Sequence, residues 1–336
     1  MKTGLMAMLG LAAGLAGVSV AQGQEHQWRI QGYVPDSFKV NAEFRQWAAD
    51  LKTKSGDRIA IELLPIGAVI APADGLDAVR NGILTGLFQG SAYSAAKDPA
   101  FAIAGDTMGA YETADQRQSW WSDGGGKDVM RKLYAQHGVY MIGPVYTPAQ
   151  VIPSKKPLRN VEDFQGLKIR GASGATSALF QSMGAGAVVL PGTELFNALQ
   201  TGVIDATSWG WYTLNYETGL YDAAKYSVNA RHSMATVEVV VAQKAWDALD
   251  DDLKQLVETE LEAFSAHMRE IYIEDDEATK KLIVEKGVEI IEWEPEEYEK
   301  IRALTARYWE SEAARSASAR EMVDSHTAYI EKLGIE

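Results

Sequence analysis

Short apolar runs and helical stripes alternate through the first two thirds of the chain, and long helical stripes take over in the last third. Gln27-Trp-Arg-Ile-Gln31 alternates and predicts a first strand, with Gly32 to Ser37 as a loop after it. Val40, Phe44, Trp47, Ala48 and Leu51 recur at helical spacing, and Gly56-Asp57 ends that helix. Ile59 to Pro65 is a second strand, so the chain opens with a βαβ unit, which implies parallel pairing. Pro72 to Arg80 fits a short helix, and Leu84 to Gln89 reads as a buried strand ending at Gly90-Ser-Ala-Tyr93. Asp115 to Ala135 is helical, interrupted at Gly124-Gly-Gly126-Lys127. Val139 to Ile142 is a strand, and Gly143-Pro144 marks a change of direction.

Gln150 to Pro157 is extended and reads as a crossing into a second lobe. There, Leu167 to Ile169, Val188 to Leu190, Val203 to Ala206 and Ala223 to Val228 are strand-like, with helices opening near Ala175 and over Glu194 to Gln200. Arg231 to Met234 reads as the return crossing, and Val237 to Val241 as a strand back in the first lobe. From Lys244, a stripe of Leu249, Leu253, Leu256, Val257, Leu261, Phe264, Met268 and Ile271 predicts a long helix. Val288 to Trp293 is a strand, Pro295 suits the first turn of the next helix, and Ala314 to Leu333 is helical and polar. The expected fold class is α/β in two lobes. Residues 22–147 and about 232–275 form lobe one, and residues 148–231 with about 276–336 form lobe two and the C-terminal helices.

Composition narrows the setting. Lys2, the apolar stretch Leu5 to Val20 and the small residues Ser19-Val-Ala21 read as a secretory signal peptide over residues 1–21. Cutting there leaves 315 of the 336 residues for an extracytoplasmic protein. A retained anchor is the alternative, but the run is short for a span of about 20 apolar residues and is weakened by glycines. Cysteine is absent, which excludes zinc ribbons, iron–sulfur sites and thiol nucleophiles. A net charge of −14 argues against nucleic acid, whose phosphates demand a basic face. The acidic runs after residue 247 read as solvated helix faces.

Signs of catalysis are missing. Asp128 follows Lys127 where a phosphate-binding loop needs Ser or Thr. The five histidines, His26, His137, His232, His267 and His326, show no metal-protease spacing, and Gly171-Ala-Ser-Gly174 is not a nucleophile elbow. His232 reads as structural or solvent-facing, with ligand contact as the alternative. Ligands of parallel sheets bind outside the carboxyl ends of strands, which makes Tyr33, Gln89 and Tyr93 candidates for a cleft wall.

A more specific pattern lies in Leu167-Lys-Ile-Arg170 and Leu190-Pro-Gly-Thr-Glu-Leu-Phe-Asn-Ala-Leu-Gln-Thr-Gly-Val-Ile-Asp-Ala206, followed by Trp209 and Trp211. Arginine at a strand end offers a rigid donor fork that fits a carboxylate bidentately, as lysine cannot. These segments resemble the DctP-type solute-binding proteins of TRAP (tripartite ATP-independent periplasmic) transporters, in the α-keto-acid and organic-acid branch, and the likeness covers the whole mature chain. It implies a two-lobed periplasmic binding fold, a ligand cleft between the lobes and a long helix spanning both. It also implies that Arg170 grips the substrate carboxylate, Gln150 adds a directional hydrogen bond, and Trp209 and Trp211 wall the cleft. Some relatives bind a cation with the acid, through carboxylates that align here with Ser208 and Ala235. No metal and no cofactor are therefore expected, although a shift of register would bring Glu238 into that place. The implied function is capture of a small organic acid in the periplasm and delivery to separate membrane permease subunits, with a homodimer left open. Presentation of the ligand to a sensor, or a sulfonate or other anion as ligand, are the alternatives. An exported enzyme on the same scaffold lacks a visible base or nucleophile.

Overall fold

Two β-sheets, each backed by helices, build the protein, in a computed structural model that describes residues 25–188 and 190–335. The expected signal peptide, residues 1–21, lies outside the described residues. The strands are β1 His26–Gln31, β2 Ile59–Leu64, β3 Gly86–Gln89, β4 Val139–Val145, β5 Ile152–Ser154, β6 Lys168–Arg170, β7 Gly186–Val188, β8 Ala206–Thr207, β9 Tyr226–Asn229, β10 Val237–Ala242 and β11 Glu289–Glu292. The first sheet has the order β2-β1-β3-β10-β4 and the second β11-β9-β5-β8-β6-β7. β1 pairs in parallel with both β2 and β3, as the βαβ opening requires, and the returning β10 runs antiparallel between β3 and β4.

The buried cores run across both sheets: one cluster joins Leu87, Phe101 and Met141 to Ile152, Phe164 and Ile169, and another joins Phe44 and Phe88 to Trp211 and Leu214. Helix Lys39–Lys54 buries Val40, Phe44, Trp47, Ala48 and Leu51, the stripe read from spacing. Phe44 stacks on Phe88 of β3 at 4.6 Å and meets Phe264 of the long helix edge-on at 5.9 Å. That long helix, Asp251–Glu285, has 35 residues and is capped by Asp250, whose Oδ1 accepts from the Leu253 amide. At 1.5 Å per residue it runs about 50 Å, enough to reach from one lobe to the other. It packs on helix Lys39–Lys54 and β4 in the first lobe and on helix Tyr212–Glu217 and β11 in the second.

Three expectations shift. Gly143-Pro144 lies inside β4, and the irregularity it introduces is a register shift opposite Val239/Val240 rather than a turn. The strand expected from Val203 begins at Ala206, and Val203 itself is exposed. The C-terminal segment divides between the lobes. β11 pairs with β9 in the second sheet, while helix Ala317–Leu333 packs on helices Ala100–Gly105 and Gly126–Ala135 of the first lobe. The reason is its buried face, Ala319, Met322, Val323, His326 and Tyr329. His326 stacks on Trp120 at 3.8 Å and bonds the Tyr111 hydroxyl at 2.8 Å.

The chain passes between the sheets at 146–151 and returns at 230–236. The two passages are tied side by side: Gln150 N donates to Ser233 O (2.9 Å), and Thr147 Oγ1 to Ala235 O (2.7 Å). The first lobe clamps both. Arg117 Nη2 donates to Thr147 O (2.8 Å), and the buried Asp106 accepts from Ser233 Oγ (2.7 Å) and the Met234 amide (3.0 Å). Paired passages of this kind are where two lobes hinge.

Candidate functional site

The carboxyl ends of β1, β3, β6 and β8 and both passages converge on one cavity of about 480 Å³ between the lobes. Tyr33, Tyr93, Gln150, Arg170, Trp209 and Trp211 all line it. Arg170 is set by register. β6 pairs with β8 so that Arg170 faces Thr207 across the ladder, and the Ser208 amide donates to Arg170 O at 2.9 Å. The guanidinium is fixed by two backbone acceptors, Leu190 O for Nε (3.2 Å) and Ser208 O for Nη1 (2.7 Å). Nη2 meets no protein acceptor among the described residues, and no carboxylate pairs with the side chain, although it is only 7% exposed. Burial pulls its pKa down to about 10, opposed only by the Tyr93 hydroxyl. The group is therefore a charged fork at neutral pH, buried at the cavity wall with no counter-charge among the described residues.

The signature residues position this fork. Gly171 follows Arg170 where a Cβ would lie 2.3 Å from Ser177 Oγ, so only glycine lets the strand end run against the helix that starts there. That helix, Gly174–Ser182, has a capping box of Ser173 and Thr176, and its first turn borders the cavity, adding the positive end of a helix beside the guanidinium. Pro191-Gly192 lies over the Trp209 ring, and a Cβ on Gly192 would come 2.4 Å from Trp209 Cη2. Trp209 Nε1 donates to Thr218 Oγ1 (3.1 Å), and the ring sits 5.4 Å from the Arg170 guanidinium carbon. Trp211 meets Tyr272 edge-on at 4.7 Å. From the first lobe, Tyr33 contributes a ring held edge-on to Phe88 at 5.2 Å, and burial pushes its hydroxyl up to about 12, so it stays protonated. Tyr93 stands at the mouth, 42% exposed.

Gln150 lies in the first passage and is 7% exposed. Its Oε1 accepts from Ser208 Oγ at 2.7 Å, and Ser208 Oγ lies 2.8 Å from His232 Nε2. Gln150 Nε2 has no protein partner among the described residues. Ser208 therefore braces both Arg170, through its carbonyl, and Gln150, through its hydroxyl. His232 is wholly buried and stacks on Phe180 at 5.4 Å, and burial pulls its pKa down to about 3, so the ring is neutral. It does not line the cavity. The sequence marks Ser208 only as a position where relatives differ, and His232 as structural or solvent-facing with ligand contact as the alternative. What joins them to the site is the first passage, which lies between the segment after β8 and the second passage, with Val151 N donating to Gly210 O and Gln150 N to Ser233 O, a meeting that spacing does not display.

Gln89 falls outside the cavity. Its Nε2 reaches Pro72 O at 3.3 Å on the helix-covered face of the first sheet. Side chains alternate along β3, so Phe88 and Gln89 point to opposite faces. Leu87 and Gln89 both abut Gly75, while Phe88 packs under Tyr33. Conversely, Asp106 lines the cavity and was not foreseen. It is the one carboxylate among the lining residues, and it already accepts from Ser233 Oγ and the Met108 and Met234 amides. Ser208 and Ala235, the places of the relatives' carboxylates, supply no carboxylate, and Glu238 bonds the Tyr134 hydroxyl away from the cavity.

Comparison with known proteins agrees with this architecture. The family described as "Bacterial extracellular solute-binding protein, family 7" (DctP) matches residues 31–316. A monocarboxylate 2-oxoacid-binding periplasmic protein of Nostoc sp. is 25% identical over 307 residues, covering 90% of this chain and 84% of that protein. Among solved structures, a TRAP periplasmic solute-binding protein from Rhodobacter sphaeroides, in an apo open state, is similar with a TM-score of 0.79. It is 29% identical over 92% of this chain and 99% of that one. Another, from Rhodoferax ferrireducens with bound malonate, shares the fold with a TM-score of 0.81 at 20% identity, over 92% of this chain and all of that one. Among the described residues, no helix is long and apolar enough to cross a membrane.

Proposed function

The chain belongs to family 7 of the bacterial extracellular solute-binding proteins, and we propose that it captures a small monocarboxylate between its lobes and hands it to a membrane permease. The observation that carries this reading is Arg170, a buried guanidinium bordering a cavity of about 480 Å³ with one donor nitrogen uncommitted and no protein carboxylate to neutralise it. A ligand carboxylate completes that fork with charge-assisted bonds. Gln150 Nε2 adds a donor beside it, and Trp209, Trp211, Tyr33 and Tyr93 enclose the apolar remainder. Water exclusion by these rings strengthens the pair. Among the described residues, Arg170 is the only cationic side chain lining the cavity, which favours one carboxylate over two.

The reading takes the acid without a companion cation, since the one carboxylate at the cavity is already bonded to Ser233, Met108 and Met234. Extracytoplasmic action follows from the family and fits the signal peptide expected at residues 1–21. The 2-oxoacid named for the Nostoc protein is the first ligand class to try. Thermal-shift and calorimetric titration of the purified protein against 2-oxo, 2-hydroxy and aromatic monocarboxylates, dicarboxylates and sulfonates, with and without Ca²⁺ and Na⁺, tests it. Ligand binding raises the melting temperature by mass action. A monocarboxylate should bind with micromolar or tighter affinity independently of either cation, and Arg170→Ala should abolish the shift. Preference for a dicarboxylate or a sulfonate, or a strict need for Ca²⁺, would replace the reading.

A further inference from the structure

We propose that His232 is a positioning residue that decides which end of the Gln150 amide meets the ligand, and through it the class of acid the site accepts. This rests on the reading of Gln150 as a ligand-binding residue. The geometry is a relay of two short bonds, from His232 Nε2 to Ser208 Oγ (2.8 Å) and from Ser208 Oγ to Gln150 Oε1 (2.7 Å). A hydroxyl carries one proton, so the direction of one bond fixes the other.

The imidazole is neutral and bears its proton on one nitrogen only. Its Nδ1 is buried with no hydrogen-bond partner. A buried N–H left without an acceptor is rarer than an under-used lone pair, so the proton belongs on Nε2. His232 Nε2–H then donates to Ser208 Oγ, Ser208 donates to Gln150 Oε1, and the amide N–H₂ is turned to the cavity beside Arg170. With the proton on Nδ1 every bond would reverse: Ser208 would donate to Nε2, accept from the amide nitrogen, and leave Oε1 facing the ligand. Stacking on Phe180 holds the ring plane, and Arg170 Nη1 holds the Ser208 backbone, so the relay has little freedom to rearrange.

The consequence is that the two side chains read here as meeting the acid group, the Arg170 fork and the Gln150 N–H₂, both present donors, while the lining carboxylate, Asp106, already accepts from Ser233, Met108 and Met234. Such a pair fits a carboxylate flanked by an oxygen that only accepts, as in a 2-oxo acid. A 2-hydroxyl of the same skeleton is accommodated less well, because its own proton faces donors.

Two measurements test this. In the ligand-free protein labelled with ¹⁵N-histidine, with His232 assigned by its loss in His232→Phe, Nε2 should be the protonated nitrogen. A protonated Nδ1 overturns the proposal, whatever the ligand. In titrations with matched pairs, 2-oxobutanoate against 2-hydroxybutanoate and 2-oxoisocaproate against 2-hydroxyisocaproate, the wild type should favour the oxo acid. Ser208→Ala should lower that preference roughly 3- to 10-fold, the worth of one hydrogen bond. His232→Phe should do the same, and His232→Gln, which can offer an N–H at the Nε2 place, should restore it in part. If Gln150→Leu weakens the oxo acid while Ser208→Ala and His232→Phe leave the preference intact, the relay has no such role. If Gln150→Leu binds both acids as the wild type does, the assignment of Gln150 itself fails, a separate outcome.

Discussion

Arg117 in the first lobe and Arg170 in the second are buried to nearly the same depth, 3% and 7% exposed, and neither forms an ion pair among the described residues. Burial pulls the pKa of both guanidiniums down. What differs is the field around them. The buried carboxylates of Asp106 and Glu238 both bear on Arg117, which spends Nη2 on the Thr147 carbonyl and hydroxyl and clamps the first interlobe passage. No carboxylate bears on Arg170, and its side chain lines a cavity. Burial of a charge therefore does not by itself mark a ligand site. The mark is a buried charge for which the protein supplies no opposite charge, next to space that a counter-ion can enter.

Replacing each arginine by methionine separates the two roles and carries the largest effect. Arg117→Met takes from Asp106 and Glu238 a cation that bears on them at a distance and leaves the buried Thr147 carbonyl without its donor, and should destabilise the ligand-free protein by roughly 1–3 kcal/mol. Calorimetry should show a melting temperature lower by about 2–5 °C for a chain of this size. Arg170→Met removes an uncompensated charge, and its ligand-free melting temperature should be unchanged or higher. Its affinity for the acid should fall by roughly 2–5 kcal/mol. Equal loss of stability in both variants would erase the distinction between a structural and a ligand-seeking arginine.

A pH series sharpens the comparison on the Arg117 side. Burial pushes Glu238 up to about 7, opposed by the Tyr134 hydrogen bond and, at distance, by Arg117. Its folded pKa is thus above its unfolded value. The stability this group contributes is complete below about pH 4 and is lost as pH rises through about 7, on the order of 3 kcal/mol in all. Urea melts between pH 4.5 and 8 should show that decline in the wild type relative to Glu238→Gln, in which the group cannot titrate. In Arg117→Met the decline should extend to higher pH, because one influence holding the carboxylate down is gone. A difference between wild type and Glu238→Gln that does not change with pH would show that Glu238 stays ionised throughout.

On the Arg170 side, Gly192→Ala tests the wall rather than the fork. The added Cβ would fall 2.4 Å from Trp209 Cη2, so the indole must move or the Pro191-Gly192 turn must rise. Overpacking of this kind typically costs 1–3 kcal/mol. Part of it should appear as a several-fold weaker affinity, since the Trp209 ring lies against the guanidinium. Tryptophan fluorescence on ligand addition should change in amplitude. Unchanged affinity and fluorescence would mean that the ring is not part of the binding wall.

Much of the fold was legible because its periodicities are long. The stripe from Val40 to Leu51 and the stripe of the long helix each repeat over several turns; the first buries the residues its spacing selects, and the second buries Leu253, Val257, Leu261, Phe264 and Met268, while Leu256 and Ile271 are half-buried and Leu249 precedes the helix. Arg170, Trp209 and Trp211 were legible because the segment from Leu167 to Trp211 is a continuous local signature. The relay through Ser208 and His232, and the Asp106 clamp, were not. They join residues 24 and 127 positions apart through strand pairing and a crossing, and no local pattern encodes such a meeting. The helix Ala317–Leu333 misled for a related reason. Its polar face dominated the reading, while its partners, Trp120 and Tyr111, lie some two hundred positions upstream.

The smallest effect belongs to Gln89, and its smallness is informative. It is the last residue of β3, just before the loop that carries Tyr93, and proximity along the chain suggests the cleft. The alternation of the strand sends its side chain instead toward Pro72 O, 3.3 Å away, where it is 4% exposed and packed against Gly75. Gln89→Leu keeps the bulk, gives up one long hydrogen bond, and should cost about 1 kcal/mol of stability or less. Its affinity for the acid should stay within a factor of two of wild type, while Gln150→Leu, the same change on the cavity side, weakens binding. Two glutamines of similar burial, 4% and 7% exposed, would then differ as the two arginines do, by what faces them rather than by depth. If Gln89→Leu instead weakened binding as strongly as Gln150→Leu, the β3 side chains would have to face the other way, and the first-lobe wall formed by Tyr33 over Phe88 could not be as described.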